Sequence, residues 1–338
     1  MIAVISVYKV ANFPDGGGHF WVYMQYAQGL RRLGCDVYWL EQFRPPASGD
    51  SAQEAALLAP FFDRMKRFGL EGKTLLYAKA SNDFRFVGCA WPDVEHVLKR
   101  ADLLLNFHYA IDPRLLGCAR RTALVDIDPG LLQFWISTGQ LRVPAHDCYL
   151  TTGETVGTPT ARFSDCGLQW HRIRPPVCLD LWPFTYDPHA EAFTTVSSWS
   201  TTDWLKVTEN GKTVLRENTK RVAFLQFESL PRHTSQALEL ALYTDERDAQ
   251  DLACLTQSGW RSWTSRSCRG ARASRSSSRS SRTIAMLPTW RVSREMAGAC
   301  ATRPKWPAAP TLTAPTCSAR VASSAARRRP ACSSRTPG

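Results

Sequence analysis

The sequence predicts an α/β protein with largely parallel strands, organised as two units and followed by a tail of different character. Three observations predict it. The chain opens with a continuous apolar run, "MIAVISVY", the pattern of a strand buried on both faces. A glycine-rich loop and a helical stretch lead to a second apolar run, "CDVYWLEQ", completing a strand–loop–helix–strand unit. Charge and composition then change abruptly near Trp260.

The elements follow in chain order. In "HFWVYMQYAQGLRRLG", Trp21, Met24, Ala27, Gln28, Leu30 and Leu33 recur at helical spacing, and Gly34 is a natural helix stop. "AALLAPFFDRMKRFG" reads as an amphipathic helix, and "VEHVLKRA" as a short helix before the strand "DLLLNFHY". "RLLGCARR" feeds a strand "TALVDID", and "HDCYLTTG" is a further strand. The proline-bounded "RIRPPVCLDLWPF" crosses to the next unit. There "AFTTVSSW" starts a new strand, while "QALELALYT" and "DAQDLACLTQSGW" read as helices. The expected boundaries are a first domain over 1–185, a second over 186–261 and a tail over 262–338.

The chain carries net +12, which by itself suggests a polyanionic partner. Residues 261–338, however, hold 15 Arg and one Lys against Glu295 alone. Removing these from the 42 bases and 30 acids of the chain leaves 26 against 29, so residues 1–260 have net charge −3. The tail lacks Asp, Phe and Tyr, and has only Ile284, Leu287, Val292, Leu312 and Val321 as aliphatic residues. Five such side chains do not offset an ordering cost of roughly 1.5 kcal/mol per residue, which predicts disorder from about Ser262. Nucleic-acid binding through this tail is a minor rival reading, because only Trp263, Trp290 and Trp306 offer stacking surfaces.

Seven cysteines precede Trp260 (Cys35, Cys89, Cys118, Cys148, Cys166, Cys178 and Cys254), none in a CxxC pair. They read as reduced core thiols of a cytoplasmic protein. The first apolar run is too short for a signal peptide or a membrane span, and no run reaches eighteen apolar residues, leaving at most peripheral membrane contact.

Five stretches offer chemistry. In "PDGGGHFW", Gly16, Gly17 and Gly18 let a ligand approach the backbone where a helix N-terminus presents free N–H groups. His19 beside them suits a phosphate contact, an acceptor hydroxyl or a general base; the plainer alternative is a turn that needs glycine. "LVDIDPG" ends a strand with Asp126 and Asp128, the end where open α/β sheets bind ligands. Alternation puts both aspartates on one face, suiting a divalent metal on a nucleotide diphosphate. The bland alternative has Asp128 capping the turn and Asp126 pairing with a base. In "NFHYAIDP", Asn106 and His108 point the same way and could line that cleft. In "WHRIRPPVCLDLWP", Arg172 and Arg174 stand beside tryptophans, the residue types that bind diphosphates and stack on sugars. Trp199, Lys212 and Lys220 follow as weaker ligand candidates. A nicotinamide-binding fold is disfavoured, because the loop lacks the fingerprint glycines and only Glu41 is an acid ending the second strand.

Taken together, these stretches resemble a bacterial branch of the GT-B glycosyltransferases. That branch carries "YLQYLLGLRRLGHDVYYLE" where this chain has "YMQYAQGLRRLGCDVYWLE". "ADLLLN", "DIDPG" followed by Gln133, "RPPVCLDLWP", "FTTVSSW", Leu230–Pro231, "LELAL" and "SGW" recur in the same order, from Met1 to about Trp260. The resemblance implies two Rossmann-like domains, an acceptor on the first and a nucleotide-sugar donor on the second, with no cofactor and usually no metal. It implies His19 as base, Asp126 as the second choice, and Arg172, Arg174 and Lys212 toward the leaving diphosphate. A non-catalytic sugar or nucleotide binder on the same fold is the main alternative.

The resemblance ends after "SGW", where such proteins resume with aliphatic residues and an Asp and later carry "QDTG". Shifted by two bases, the codons of Arg261–Thr264 permit two aliphatics and force an Asp. Those of Cys332–Gly338 permit Phe-Val-Gln-Asp-Thr-Gly in the same frame. The expectation is a tail read out of register, a truncated donor domain and an inactive chain.

Overall fold

The computed structural model describes residues 1–13, 17–79, 83–200, 204–209, 211–244 and 246–264. Gly16 and the basic tail from residue 265 onward therefore lie outside the described residues, as does the disorder expected there. The chain divides into two compact units, Met1–Phe184 and the part from Thr185 onward.

The first unit is an eight-stranded sheet. Its strands are β1 (Ile2–Tyr8), β2 (Asp36–Gln42), β3 (Thr74–Lys79), β4 (Phe84–Val87), β5 (Leu103–Asn106), β6 (Thr122–Asp126), β7 (Cys148–Thr151) and β8 (Trp170–Arg172). They lie in the order β4-β3-β2-β1-β5-β6-β7-β8, all parallel except β4, which runs antiparallel to β3. From β1 the chain winds first to one side and then, at β5, to the other. The doubly wound order puts a crevice outside the carboxyl ends of β1 and β5.

The sequence explains the layers. Ala3 to Val7 are buried without polar interruption except Ser6, as a strand covered on both faces requires. On one face, α1 (Gly17–Arg32) and α2 (Ser51–Arg67) bring Phe20, Met24, Leu58 and Phe61 against Ile5 and Trp39. On the other, α3 (Trp91–Arg100) and α4 (Pro113–Cys118) bring Val94, Leu98 and Leu115 against Val4, Leu40 and Leu104. Each such burial contributes about 1.5–3 kcal/mol. Arg31 and Arg32 in the last turn of α1 suit its negative end, and Gly34 turns the chain at φ 80°. A further helix, α5 (Leu131–Ser137), follows β6.

The second unit contains β9 (Ala192–Ser198), a hairpin of β10 (Trp204–Glu209) and β11 (Lys212–Glu217), α6 (Lys220–Leu225), β12 (Ala237–Tyr243), α7 (Ala249–Gln257) and β13 (Arg261–Thr264). Its parallel sheet has the order β13-β12-β9. The core is Trp199, Leu240, Leu242 and Leu255.

Two expectations are corrected here. "QALELALYT" is not a helix but β12, because pairing on both edges, with β9 and β13, outweighs the helix preference of its Ala, Leu and Glu residues. Ser262–Thr264 belong to β13, so regular structure runs past the expected start of the tail. Among the described residues no helix is long and apolar enough to cross a membrane.

Candidate functional site

The carboxyl ends of β1 and β5 gather most of the polar groups of the first unit that carry chemistry. Strand β1 ends at Tyr8, and the chain turns sharply at Lys9, whose φ of 58° is in the left-handed region. The turn is held from β2: Glu41 is fully buried and accepts from Ala11 N–H at 2.7 Å and from Trp39 Nε1–H at 2.8 Å. Burial pushes the Glu41 carboxyl up to about 7, against the lowering effect of those donors. Both its oxygens are engaged within the protein, so it does not stand where an acid would receive a ribose.

Helix α1 begins directly beyond this turn. Gly17 and Gly18 form its first residues; among the described residues a Cβ on either would meet no atom within 4 Å. Packing among the described residues therefore does not require glycine at these two positions. His19 Nε2–H donates to the Tyr8 carbonyl at 2.6 Å. A carbonyl only accepts, so this bond fixes the tautomer and leaves Nδ1 as the basic nitrogen. Among the described residues nothing bonds to that nitrogen. Burial lowers the His19 pKa, while the Tyr8 carbonyl and the Asp128 carboxylate oppose that shift.

From β5, His108 stacks on the Tyr8 ring with centroids 4.9 Å apart and planes 24° from parallel. It is only 6 % exposed, and among the described residues its Nδ1 has no hydrogen-bond partner. Burial and then Lys79 lower its pKa to about 4, so it is neutral near pH 7. Asn106 does not share this environment: it is fully buried, its amide meets His146 Nε2 at 3.0 Å, and its oxygen accepts from His108 N–H.

The two aspartates after β6 separate. The strand ends at Asp126, so alternation does not carry on to Asp128. Asp126 is fully buried and accepts from Gln133 Nε2 at 2.9 Å, Thr151 Oγ1 at 2.8 Å and Asp128 N–H at 3.0 Å. Its carboxylate ties β6 to β7 and α5, an arrangement that leaves no opening for a base in contact with substrate. Asp128 is exposed and accepts from the Tyr109 hydroxyl at 3.0 Å; that hydroxyl in turn accepts from Ile127 N–H at 3.1 Å. Burial, then Asp128, push the Tyr109 pKa upward, which keeps its hydroxyl a donor. Among the described residues no group of three or more His, Cys, Asp or Glu side chains forms a metal site.

The remaining candidates lie elsewhere. Arg172 and Arg174 stand at the end of the edge strand β8, four strand spacings or about 19 Å from β1 across the sheet. Arg172 donates to the Glu154 carbonyl at 3.1 Å, and Arg174 pairs with the Glu154 carboxylate at 3.4 Å. Trp199 is fully buried in the second unit, with its Nε1–H on Asp251 at 2.9 Å. It is a core side chain rather than a stacking platform. Lys212 is exposed at the start of β11, also in the second unit.

Two surface hollows, of about 450 and 570 Å³, open at the opposite, amino-terminal end of the strands, around Arg31 and Lys73 and around Tyr38 and Cys89. Their cations are occupied: Arg31 donates to the Phe68 carbonyl, and Lys73 pairs with Asp36 and bonds Tyr38. The crevice at β1 and β5 has the stronger chemistry.

Tyr8 and Tyr109 have no place among the sequence candidates, and Glu41 entered there only as the acid ending the second strand; their contacts arise from strand ends that only the sheet order brings together. A scan against models of known protein families found no match, and a search of characterised proteins found no relative.

Proposed function

We propose that the chain is built on the plan of a GT-B glycosyltransferase, with the first unit on the acceptor side and the second an incomplete donor side. The observation that carries this reading is the tautomer of His19. Its Nε2–H is committed to the Tyr8 carbonyl, its Nδ1 is left basic, and the exposed Asp128 carboxylate favours the imidazolium. In the transfer, an acceptor hydroxyl gives its proton to His19 Nδ1 as its oxygen bonds the anomeric carbon of a nucleotide sugar. The bond from that carbon to the diphosphate breaks, and the electron pair leaves with the diphosphate. Among the described residues nothing crowds Gly17 and Gly18, where the acceptor would approach the start of α1, and neutral His108 fixes Tyr8 by stacking. Asp126 is a positioning residue for the Asp128 turn rather than the base.

The donor side is incomplete in this reading because β13-β12-β9 matches only one wing of a doubly wound sheet among the described residues. The test compares this chain with one expressed from a gene shifted by two bases after Trp260. Nucleoside diphosphate release is followed across a panel of nucleotide sugars and hydroxyl acceptors. Turnover by the shifted chain alone supports both parts. Turnover by the present chain refutes the incompleteness, and turnover by neither refutes glycosyl transfer.

A further inference from the structure

We propose that His146 is an acid sensor for the crevice at β1 and β5. A proton taken up on its Nε2 severs the hydrogen-bond chain that fixes the end of β5. The proposal stands on that chain of bonds and does not depend on glycosyl transfer.

His146 lies in the loop between α5 and β7, forty residues from the strand end it serves. Two backbone groups of opposite polarity fix every proton along the chain. At one end the Pro144 carbonyl, which only accepts, meets His146 Nδ1 at 2.7 Å, so Nδ1 carries the proton. At the other end His108 N–H, which only donates, reaches Asn106 Oδ1 at 3.0 Å. That bond orients the Asn106 amide, whose Nδ2–H donates to His146 Nε2 at 3.0 Å. Nε2 is therefore an acceptor, and the ring is neutral.

A proton on Nε2 sets N–H against N–H. Turning the Asn106 amide over would offer its oxygen to the imidazolium, but would set its N–H₂ against His108 N–H. Asn106 is fully buried, so either mismatch costs a buried hydrogen bond. The strain falls on His108, whose ring stacks on Tyr8, and the Tyr8 carbonyl accepts from His19. A proton in the loop thus loosens the histidine and tyrosine of the crevice.

The surroundings set the pH range. Burial lowers the His146 pKa below 6.5, opposed by the Pro144 carbonyl and the Asp147 carboxylate. Asp147 is itself held by Thr122 N–H at 2.8 Å and Thr122 Oγ1 at 3.0 Å, with Arg121 acting on it from the same side of the sequence. From β7, Tyr149 sets its ring edge-on to the imidazole at 6.0 Å, and its hydroxyl accepts from His146 N–H at 3.1 Å. From β5, the facing groups are Asn106 and His108; burial and then Lys79 lower the latter to about 4, so it stays neutral until pH falls well below 6.5. The support that neutral His146 gives is complete above pH 6.5 and is lost as pH falls through its folded pKa.

The test follows the His146 imidazole, the Tyr8 ring and the His108 amide by NMR of the full chain from pH 8 to about pH 5. The His108 protection factor, corrected for the intrinsic pH dependence of exchange, should fall about tenfold or more as His146 titrates below 6.5. The Tyr8 ring signals should move with the same midpoint. Asn106→Asp should invert the response, because a carboxylate accepts from His146 Nε2–H and His108 N–H together. Its His146 should titrate above 6.5, with His108 protected on the acid side. His146→Gln cannot take up a proton there and should hold His108 protection level across the range, with near-ultraviolet circular dichroism unchanged. A parent His146 that titrates at or above 6.5, a Tyr8 ring that ignores its titration, or an equal loss of protection in folded His146→Gln overturns the proposal.

Discussion

The two units treat their first strands differently. Strand β1 lies between β2 and β5, and helices cover it on both faces; β9 pairs with β12 alone among the described residues. The first unit buries large side chains such as Trp39, Phe61 and Met65, whereas the core of the second rests on Trp199, Leu240, Leu242 and Leu255. A doubly wound sheet gains its stability and its ligand crevice from the same feature, the reversal at the central strand. Among the described residues only the first unit shows that reversal, and it is also the unit in which strand ends bring histidines, tyrosines and a carboxylate together.

The largest effect that would sharpen this contrast comes from the buried tryptophans. Calorimetry should show two transitions, with the second unit melting first. Trp199→Ala should abolish the lower transition, and Trp39→Ala should lower the upper one, each costing about 3–5 kcal/mol. A single transition shifted equally by both variants would break the comparison.

Next is the buried Glu41 that anchors the turn after β1. Its folded pKa is raised to about 7 from an ordinary 4.5, so its stabilising contribution is complete below pH 4.5 and is lost as pH rises through 7. Denaturation at a series of pH values should show about 3 kcal/mol of decline assignable to this group. Glu41→Gln should flatten that slope at some cost in overall stability. An unchanged slope would contradict the role.

Asp126→Asn sets an amide N–H₂ against groups that donate to the carboxylate, and should cost about 1–3 kcal/mol in urea denaturation. A neutral result would mean that the carboxylate is not the tie between β6, β7 and α5. The smallest effect concerns Asp128. Its carboxylate raises the His19 pKa against burial, so Asp128→Asn should move that pKa further below 6.5 in an imidazole NMR titration. A rise would reverse the assigned electrostatics.

These contrasts also explain what the sequence made legible. The β1–α1–β2 unit could be read because burial on both faces writes a continuous apolar run, and a helix packed on a sheet writes its own spacing. Strand β12 could not, because its Ala, Leu and Glu residues favour helix locally and only neighbours on both sides make it a strand. The glycines before it singled out His19 as a candidate. The stacking of Tyr8 on His108 and the bond of Tyr109 to Asp128 were not legible, since each joins strand ends distant in sequence. Trp199 misled for the opposite reason: a tryptophan amid Ser and Thr looks like a ligand platform, and its burial depends on α6 and α7 packing over it.

The most direct measurement is turnover of the frame-shifted chain with and without His19→Ala, at saturating nucleotide sugar. The account predicts a loss of about 10²–10⁴-fold in kcat, with the acid limb of the pH profile below 6.5 as burial dictates. Turnover undiminished in His19→Ala would contradict it.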